Sequence, residues 1–331
     1  MADGHARARA ISLYAAAGGL SASIGLVVGG IVADLISWRA GFLINVPIGI
    51  LLIICALRFI PETARHRGKF DVGGAVLSAL GMTGLVYATI SSVSNGWLSI
   101  TTMLTFAASI ILLWVFVLVE KHAQQPIMPL RLFHSSMRSG AYLARILYIG
   151  AAMGFFFFST QFMQGVLHYS AIQAGLAFLP AMLINFLVAL QVPRLTGRFG
   201  SQNLLLISLL AVLLGMALLS RLDAQSHYLS GLLLPLILMG FGIGGATGPL
   251  TAMGLSGVAA SDAGAASGLI NAAHQMGGAL GLSIMVATAV AGSSHLEGIS
   301  LMLHQNHLAF LAGTGLVALS VVIVLGLIKR K

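Results

Sequence analysis

Arg145 combines a strong charge with a position inside a long apolar stretch. It follows Arg138 by seven residues, and the run from Gly140 to Met163 around it is mainly apolar. A charged side chain is costly in such surroundings unless it reaches a polar boundary or a partner. Two interpretations stay open. The guanidinium snorkels to the boundary, or it faces a central cavity as a charge-coupling group paired with a carboxylate or an anionic substrate.

A second polar group lies in another apolar stretch. Asn271, His274 and Gln275 are spaced i, i+3 and i+4, so they share one helix face. The His274 imidazole can exchange protons near neutral pH, although a lone histidine often only hydrogen-bonds a neighbour. The residues that we expect to line a moderately polar substrate cavity are Gln161, Gln164, Asn185, Asn271, His274 and Gln275. The alternative is that they face lipid or the packed core.

The composition indicates which elements position these side chains. Of the 331 residues 58% are apolar and 8% are charged, whereas soluble domains are about 25% charged. Lipid must therefore surround most of the chain, and crossing it takes about 20 mainly apolar residues in a helix. The predicted fold class is an all-α membrane protein with about ten transmembrane helices. The spans are Ile11 to Ala33, Ala40 to Ile60, Gly73 to Val93, Leu98 to Val119, Gly140 to Met163, Ile172 to Val192, Gln202 to Ser220, Ser230 to Ala252, Ala263 to Ala291 and Leu308 to Ile328.

The positive charges predict an orientation in the membrane. Lys and Arg concentrate on the N-terminal arm and on every second loop, whereas the opposite loops hold only Arg39 and Arg221. Positively charged loops stay on the cytoplasmic side, so both termini are expected in the cytoplasm, with the chain in the inner (plasma) membrane. The charges are scattered and form no dense basic patch, which excludes nucleic acid as a partner.

Several other classes of chemistry lack the residues they need. Cys55 is the only cysteine, so an internal disulfide is impossible. His295, Glu297, His304 and His307 lack a thiolate or a second histidine pair, so we predict no metal site. Nothing in the sequence resembles a nucleophile elbow, a phosphate loop or a redox centre. We therefore expect neither an enzyme nor a cofactor.

Many of the 40 glycines recur at four-residue intervals. Such stripes let helix backbones approach closely in lipid, where apolar surface alone drives no association. The stripes comprise Ala17, Ser21, Gly25, Gly29 and Ala33; Gly240, Gly244 and Gly248; Ala260, Gly264, Gly268 and Ala272; and Ala273, Gly277 and Gly281. Static packing and a sliding surface at the interface between two halves of the molecule are both consistent with them.

The first fifty residues carry a family resemblance. Ser21, Gly25, Gly29 and Gly30, followed by Ser37-Trp-Arg and Asn45-Val-Pro-Ile-Gly, resemble the fifth and sixth helices of fourteen-span drug:proton antiporters of the EmrB/QacA type. The core is similar to their helix-packing antiporter motif, Gly-x-x-x-Gly-Pro-x-x-Gly-Gly. Ser21 replaces its first glycine and Leu26 replaces its proline.

Later segments stay in register with the same family. Gln164-Gly165, Ser170, Ala174-Gly175 and Leu179-Pro180 are similar to its ninth-to-tenth helix hairpin, and residues 263–281 resemble its thirteenth helix. A remnant of its cytoplasmic loop motif is represented by Arg194, Arg198 and Gly200.

The resemblance implies a division of the chain into four parts. Residues 1–62 would be the last two helices of an incomplete N-terminal bundle, 63–119 an inserted two-helix hairpin, 120–138 a cytoplasmic linker, and 139–331 a six-helix C-terminal bundle of the major facilitator type. The four helices absent from this alignment would include the membrane acidic residues of the family.

The implied function is secondary active efflux of lipophilic drugs or similar small molecules, coupled to a proton gradient, by alternating access. Its partners would be the substrate, protons and membrane lipid, and in a Gram-negative cell also a periplasmic adaptor and an outer-membrane channel. The alternative is a truncated carrier remnant without transport activity of its own. Residues 1–331 expressed alone are then expected to give no drug efflux above a vector control.

Overall fold

The chain folds into membrane-length helices. The computed structural model describes residues 25, 27–59, 71–123, 125–292 and 296–328, and these residues contain helices and connecting turns with no strand. Nine of the described helices are long and apolar enough to cross a membrane. The predicted all-α membrane fold is thereby confirmed. The first predicted span, Ile11 to Ala33, lies mostly outside the described residues, and its described end continues as helix through residue 35.

The helices after that segment are, in chain order, α1 (Trp38–Leu43), α2 (Asn45–Phe59), α3 (Val72–Asn95), α4 (Ile100–His122), α5 (Ser136–Gly165), α6 (Ala171–Ala177), α7 (Leu179–Phe199), α8 (Ser201–Leu219), α9 (Leu233–Gly254), α10 (Ala263–Ala289) and α11 (Gly298–Leu327). A 3₁₀ turn, Leu130–His134, precedes α5. Polar side chains cap several starts. The Asp71 carboxylate accepts a hydrogen bond from the Gly74 N–H (2.8 Å), and Ser170 and Gln173 form a reciprocal capping box before α6.

The start of α11 was predicted incorrectly. The helix begins at Gly298, well before the predicted Leu308. The polar residues before Leu308 include two histidines whose side chains make hydrogen bonds within the folded chain. His304 Nε2 lies 2.9 Å from the carbonyl oxygen of Ala291, just after α10 ends. His307 Nδ1 lies 2.6 Å from the carbonyl oxygen of Ser220, just after α8 ends. The helix can therefore extend through residues that are too polar to register in a hydropathy window.

The last six membrane-length segments, which contain α5 to α11, form a six-helix bundle with α5 at its centre. Helix α5 packs against α9, α10 and α11, and it buries Tyr148, Phe155 and Phe162 completely. The hairpin of α3 and α4 joins this bundle through contacts of α3 with α10. No residue of α1 or α2 is buried within the described part of the chain.

Glycines permit the closest helix contacts. A Cβ at Gly281 would collide with Gly150 of α5, and a Cβ at Gly277 would collide with the backbone of Ile146. Helices α5 and α10 therefore touch backbone to backbone. Packing without side chains between the helices is what association in lipid requires, since apolar surface gains nothing by leaving a hydrocarbon solvent.

Helix α9 uses glycine on two faces. Gly240 and Gly244 lie against the backbone of α7 at Ala181 and Asn185, and Gly242 lies against the Ser208 carbonyl of α8. The predicted stripe of Gly240 and Gly244 thus packs α9 onto α7. A second, unpredicted glycine contact packs α9 onto α8.

Asp34 connects the first helical segment to the bundle. Its carboxylate accepts hydrogen bonds from the backbone N–H groups of Ala171 (3.1 Å) and Ile172 (2.8 Å). The Ile172 N–H, followed by the Ser170 hydroxyl, holds the pKa of the exposed Asp34 carboxyl below its ordinary value of 3.8. Next to it, a Cβ on Gly30 would lie 2.6 Å from the Ala171 carbonyl oxygen.

At the other end of the membrane helices, an ion pair fastens the linker. Arg131 Nε and Nη2 donate to the two carboxylate oxygens of Asp262 at 2.7 and 2.6 Å, just before α10 begins. Such a bidentate pair fixes orientation as well as distance. The Glu120 carboxylate accepts from the Met128 N–H at 3.0 Å, which ties the same linker to the end of α4.

The contact between α5 and α10 leads to a stability prediction. Gly281→Leu forces the two backbones apart, and we expect it to cost about 1–3 kcal/mol, the usual penalty of overpacking. The thermal unfolding midpoint of the purified protein measures this cost. Gly315→Leu is the matched control, because a Cβ at the exposed Gly315 meets no other atom within 4 Å. Equal midpoints for the two variants would contradict the close contact.

The Asp34 contact predicts a pH-dependent stability difference. Because folding lowers the Asp34 pKa, its contribution is present above the ordinary value and is lost as the pH falls through the lowered one. Asp34→Asn should therefore lower the unfolding midpoint at pH 7, and its deficit should be smaller at an acidic pH below 3.8. The exposed Glu297 provides the control, Glu297→Gln, which should change neither midpoint. A deficit of Asp34→Asn that is the same at both pH values would show that the charge is irrelevant.

Candidate functional site

Arg145 lies inside the six-helix bundle. The residue is 8% exposed, and its Nη1 donates a hydrogen bond of 2.9 Å to the Thr251 hydroxyl of α9. Its Nε is buried and has no hydrogen-bond partner. No acidic side chain forms an ion pair with Arg145 in the part of the chain that the structure describes. A buried cation is thus held by neutral groups only, with one donor left unsatisfied.

His274 of α10 completes this cluster. Its Nδ1 lies 3.4 Å from Arg145 Nη2. Arginine has no acceptor, so Nδ1 must be the acceptor and the ring proton must lie on Nε2. Three helices thus meet at one polar group, which we call the Arg145 cluster: Arg145 of α5, Thr251 of α9 and His274 of α10.

Two tyrosines of α5 extend the polar contacts on either side of Arg145. The Tyr142 hydroxyl donates to the Gly254 carbonyl oxygen at 2.7 Å, and the Tyr148 hydroxyl donates to the Ile243 carbonyl oxygen at 3.2 Å. Tyr142, Arg145 and Tyr148 therefore all bond to α9 from one face of α5. Neither tyrosine was predicted from the sequence, because their partners are about a hundred residues away along the chain.

The residues predicted to line a cavity lie in different surroundings. Gln161 and Asn271 are exposed and Asn185 is half-buried, while His274 belongs to the Arg145 cluster. Gln164 and Gln275 line different cavities. Neither of these two cavities is lined by all six residues, so a single cavity that they share stays a prediction.

The glycines of the predicted antiporter motif face the bundle. Gly25, Gly29 and Gly30 line a cavity of about 260 Å³ together with Thr160 and Gln164 of α5. A Cβ at Gly25 or Gly29 would meet no described atom within 4 Å, so of these three glycines only Gly30 closely contacts another described residue. Ser21, the first position of the motif, lies outside the described residues.

The loop-motif remnant lies where α7 turns into α8. Gly200 has a φ of 80°, which favours glycine, and it connects the two helices directly. Arg194 donates to the Gln191 side chain at 3.1 Å, and the Arg198 guanidinium lies 5.4 Å from the centre of the Phe199 ring. Both arginines are exposed, and within the described residues their side chains contact neighbours on their own helix.

The histidines that were considered for a metal site make separate contacts. His304 and His307 each bond to a backbone carbonyl, and His295 lies outside the described residues. The described residues contain no group of three or more side chains that could hold a metal ion.

Known proteins resemble this chain over most of its length. The Major Facilitator Superfamily model matches residues 1–282. The cephamycin export protein CmcT of Amycolatopsis lactamdurans is 35% identical over 88% of this chain and 61% of its own length. The puromycin resistance protein pur8 of Streptomyces alboniger is 34% identical over 84% of this chain and 56% of its own length. The chain therefore spans less than two thirds of the length of these curated relatives.

Among solved structures, the nucleoside transporter NupG superposes with a TM-score of 0.49 and 16% identity, over 96% of this chain and 91% of that one. That similarity is too loose to transfer any property. The family match, the two relatives and the membrane-length helices agree with one another. This chain is a multi-pass membrane protein that belongs to the Major Facilitator Superfamily, a family of transporters and not of enzymes.

Proposed function

We propose that this chain takes part in the proton-coupled export of lipophilic drugs or similar small molecules by alternating access. Relatives named for cephamycin export and puromycin resistance support the direction and the class of cargo. The Arg145 cluster is the observation that carries the proposal. It places a charged and a titratable side chain together inside the membrane-spanning bundle, where ionisable groups are usually functional.

Arg145 is suited to bind an anionic group. A buried guanidinium with neutral partners is costly, and a carboxylate would compensate the charge and satisfy the free Nε. The carboxylate could belong to the substrate or to an acidic side chain that exchanges protons. In either case the neutral partners Thr251 and His274 hold Arg145 while no carboxylate is bound to it.

His274 links proton binding to the position of Arg145. A proton added at Nδ1 removes the acceptor and places a second positive charge where the ring now faces the guanidinium at 3.4 Å. The two side chains would then repel one another. Proton entry at His274 would therefore release Arg145, which is the kind of linkage that alternating access needs.

The membrane location follows from the same proposal. The chain would lie in the inner (plasma) membrane with both termini in the cytoplasm, since most Lys and Arg occur on that predicted side. The Arg131 and Asp262 pair then lies at the cytoplasmic end, and the Asp34 contact lies at the outer end.

The proposal predicts a loss of efflux when the charge is removed. In cells that express the protein from its native gene, Arg145→Leu should slow ethidium efflux by about tenfold or more, because a loss of about 1.4 kcal/mol of interaction already gives a tenfold change. Arg145→Lys keeps the charge and should retain part of the rate. A protonophore should abolish efflux by the wild type.

Arg221→Leu is the matched control for this experiment, because Arg221 is an exposed arginine whose side chain forms none of the hydrogen bonds seen in the described residues. It should export at the wild-type rate. Undiminished efflux by Arg145→Leu would exclude a role of the Arg145 cluster, and efflux that survives the protonophore would exclude proton coupling.

A further inference from the structure

The α3–α4 hairpin leaves open space beside α10. Two cavities of about 510 and 480 Å³ lie between α3 and α10, and both are lined by Met82, Gln275 and Met276. Because they share these side chains, the two cavities adjoin, and we call them together the hairpin groove. Along α3 the groove extends from residue 78 to 90, and along α10 from 264 to 280.

The groove exists because one face of α10 has no close partner among the described residues. A Cβ at Gly264 or Gly268 would meet no other atom within 4 Å. Gly277 and Gly281, on another face of the same helix, touch the backbone of α5. In lipid an unfilled surface loses its dispersion contacts, so the groove favours an apolar occupant.

The lining shows what kind of molecule fits. None of the residues that line the two cavities is charged, and three methionines, Met82, Met128 and Met276, contribute flexible apolar surface. The Gln275 amide makes no hydrogen bond within the described part of the chain. Tyr87 and Ile90 at one end of the groove are 59% and 56% exposed, so the described residues leave this end open.

We propose that the hairpin groove is a binding site for uncharged lipophilic molecules of drug size, which enter from the bilayer and hydrogen-bond to Gln275. Small-molecule sites usually have volumes of about 300–1,000 Å³ and apolar walls with a few polar groups. A cation would find no counter-charge here. The ligand class rests on the proposed function, but the site is separate from the Arg145 cluster and its occupancy can be measured without transport.

The test is equilibrium binding of the neutral fluorescent probe N-phenyl-1-naphthylamine to the protein in nanodiscs, with protein-free nanodiscs as background. Gly268→Leu and Ala79→Phe fill the groove from its two opposite walls, and each should weaken saturable binding about tenfold or more. Gln275→Leu removes one hydrogen bond and should weaken it about fivefold. Gly315→Leu adds the same side chain at an exposed glycine outside the groove and should have no effect.

Several results would overturn the site. These are unchanged affinity in both filling variants, no saturable signal above protein-free nanodiscs, or equally tight binding of cationic ethidium that the same variants abolish. The outcome is distinguishable from that of the export proposal. Probe binding that Gly268→Leu abolishes supports the groove even without detectable efflux, whereas proton-driven efflux with unaltered probe binding in both variants rejects the groove alone.

Discussion

Close approach of helix backbones is the constraint on which this structure depends, because helices in lipid gain nothing from burying apolar side chains alone. Gly281 meets Gly150 where α10 crosses α5, and Gly240 lies directly on the backbone of α7. These contacts fix the helix spacing more tightly than interdigitated leucines would. The remaining features of the bundle follow from which helix faces carry the glycines.

The Arg145 cluster is one consequence of that packing. Ile146, the neighbour of Arg145, lies against Gly277, which follows His274 by three residues. The backbone contact therefore brings Arg145 Nη2 and His274 Nδ1 to 3.4 Å, although a hydrogen bond of that length is weak. A buried charge that depends on neutral partners is poorly stabilised, and this makes its position responsive to a proton or to an anion. The hairpin groove is the opposite case, in which Gly268 of the same helix meets no other described residue and leaves a space.

The sequence predicted the membrane helices well, because twenty apolar residues in lipid have few alternatives to a helix. It failed at the start of α11, where His304 and His307 look like loop residues but bond to backbone carbonyls. It identified Arg145 and His274 separately but not their contact, since spacing along one helix carries no information about its neighbour. It gave no indication of the Asp34 contact, because the partners at 171 and 172 depend on the tertiary fold.

Inside the bundle, neutral His274 accepts a hydrogen bond from Arg145. Nitrogen-15 NMR of histidine-labelled protein measures this directly, with the His274 signals assigned by their absence in His274→Gln. The structure predicts a neutral ring that carries its proton on Nε2, with an Nδ1 resonance that shifts when Arg145 is replaced by Gln. A neutral ring protonated on Nδ1, or an Nδ1 resonance that does not respond to Arg145→Gln, would show that His274 accepts no hydrogen bond from Arg145.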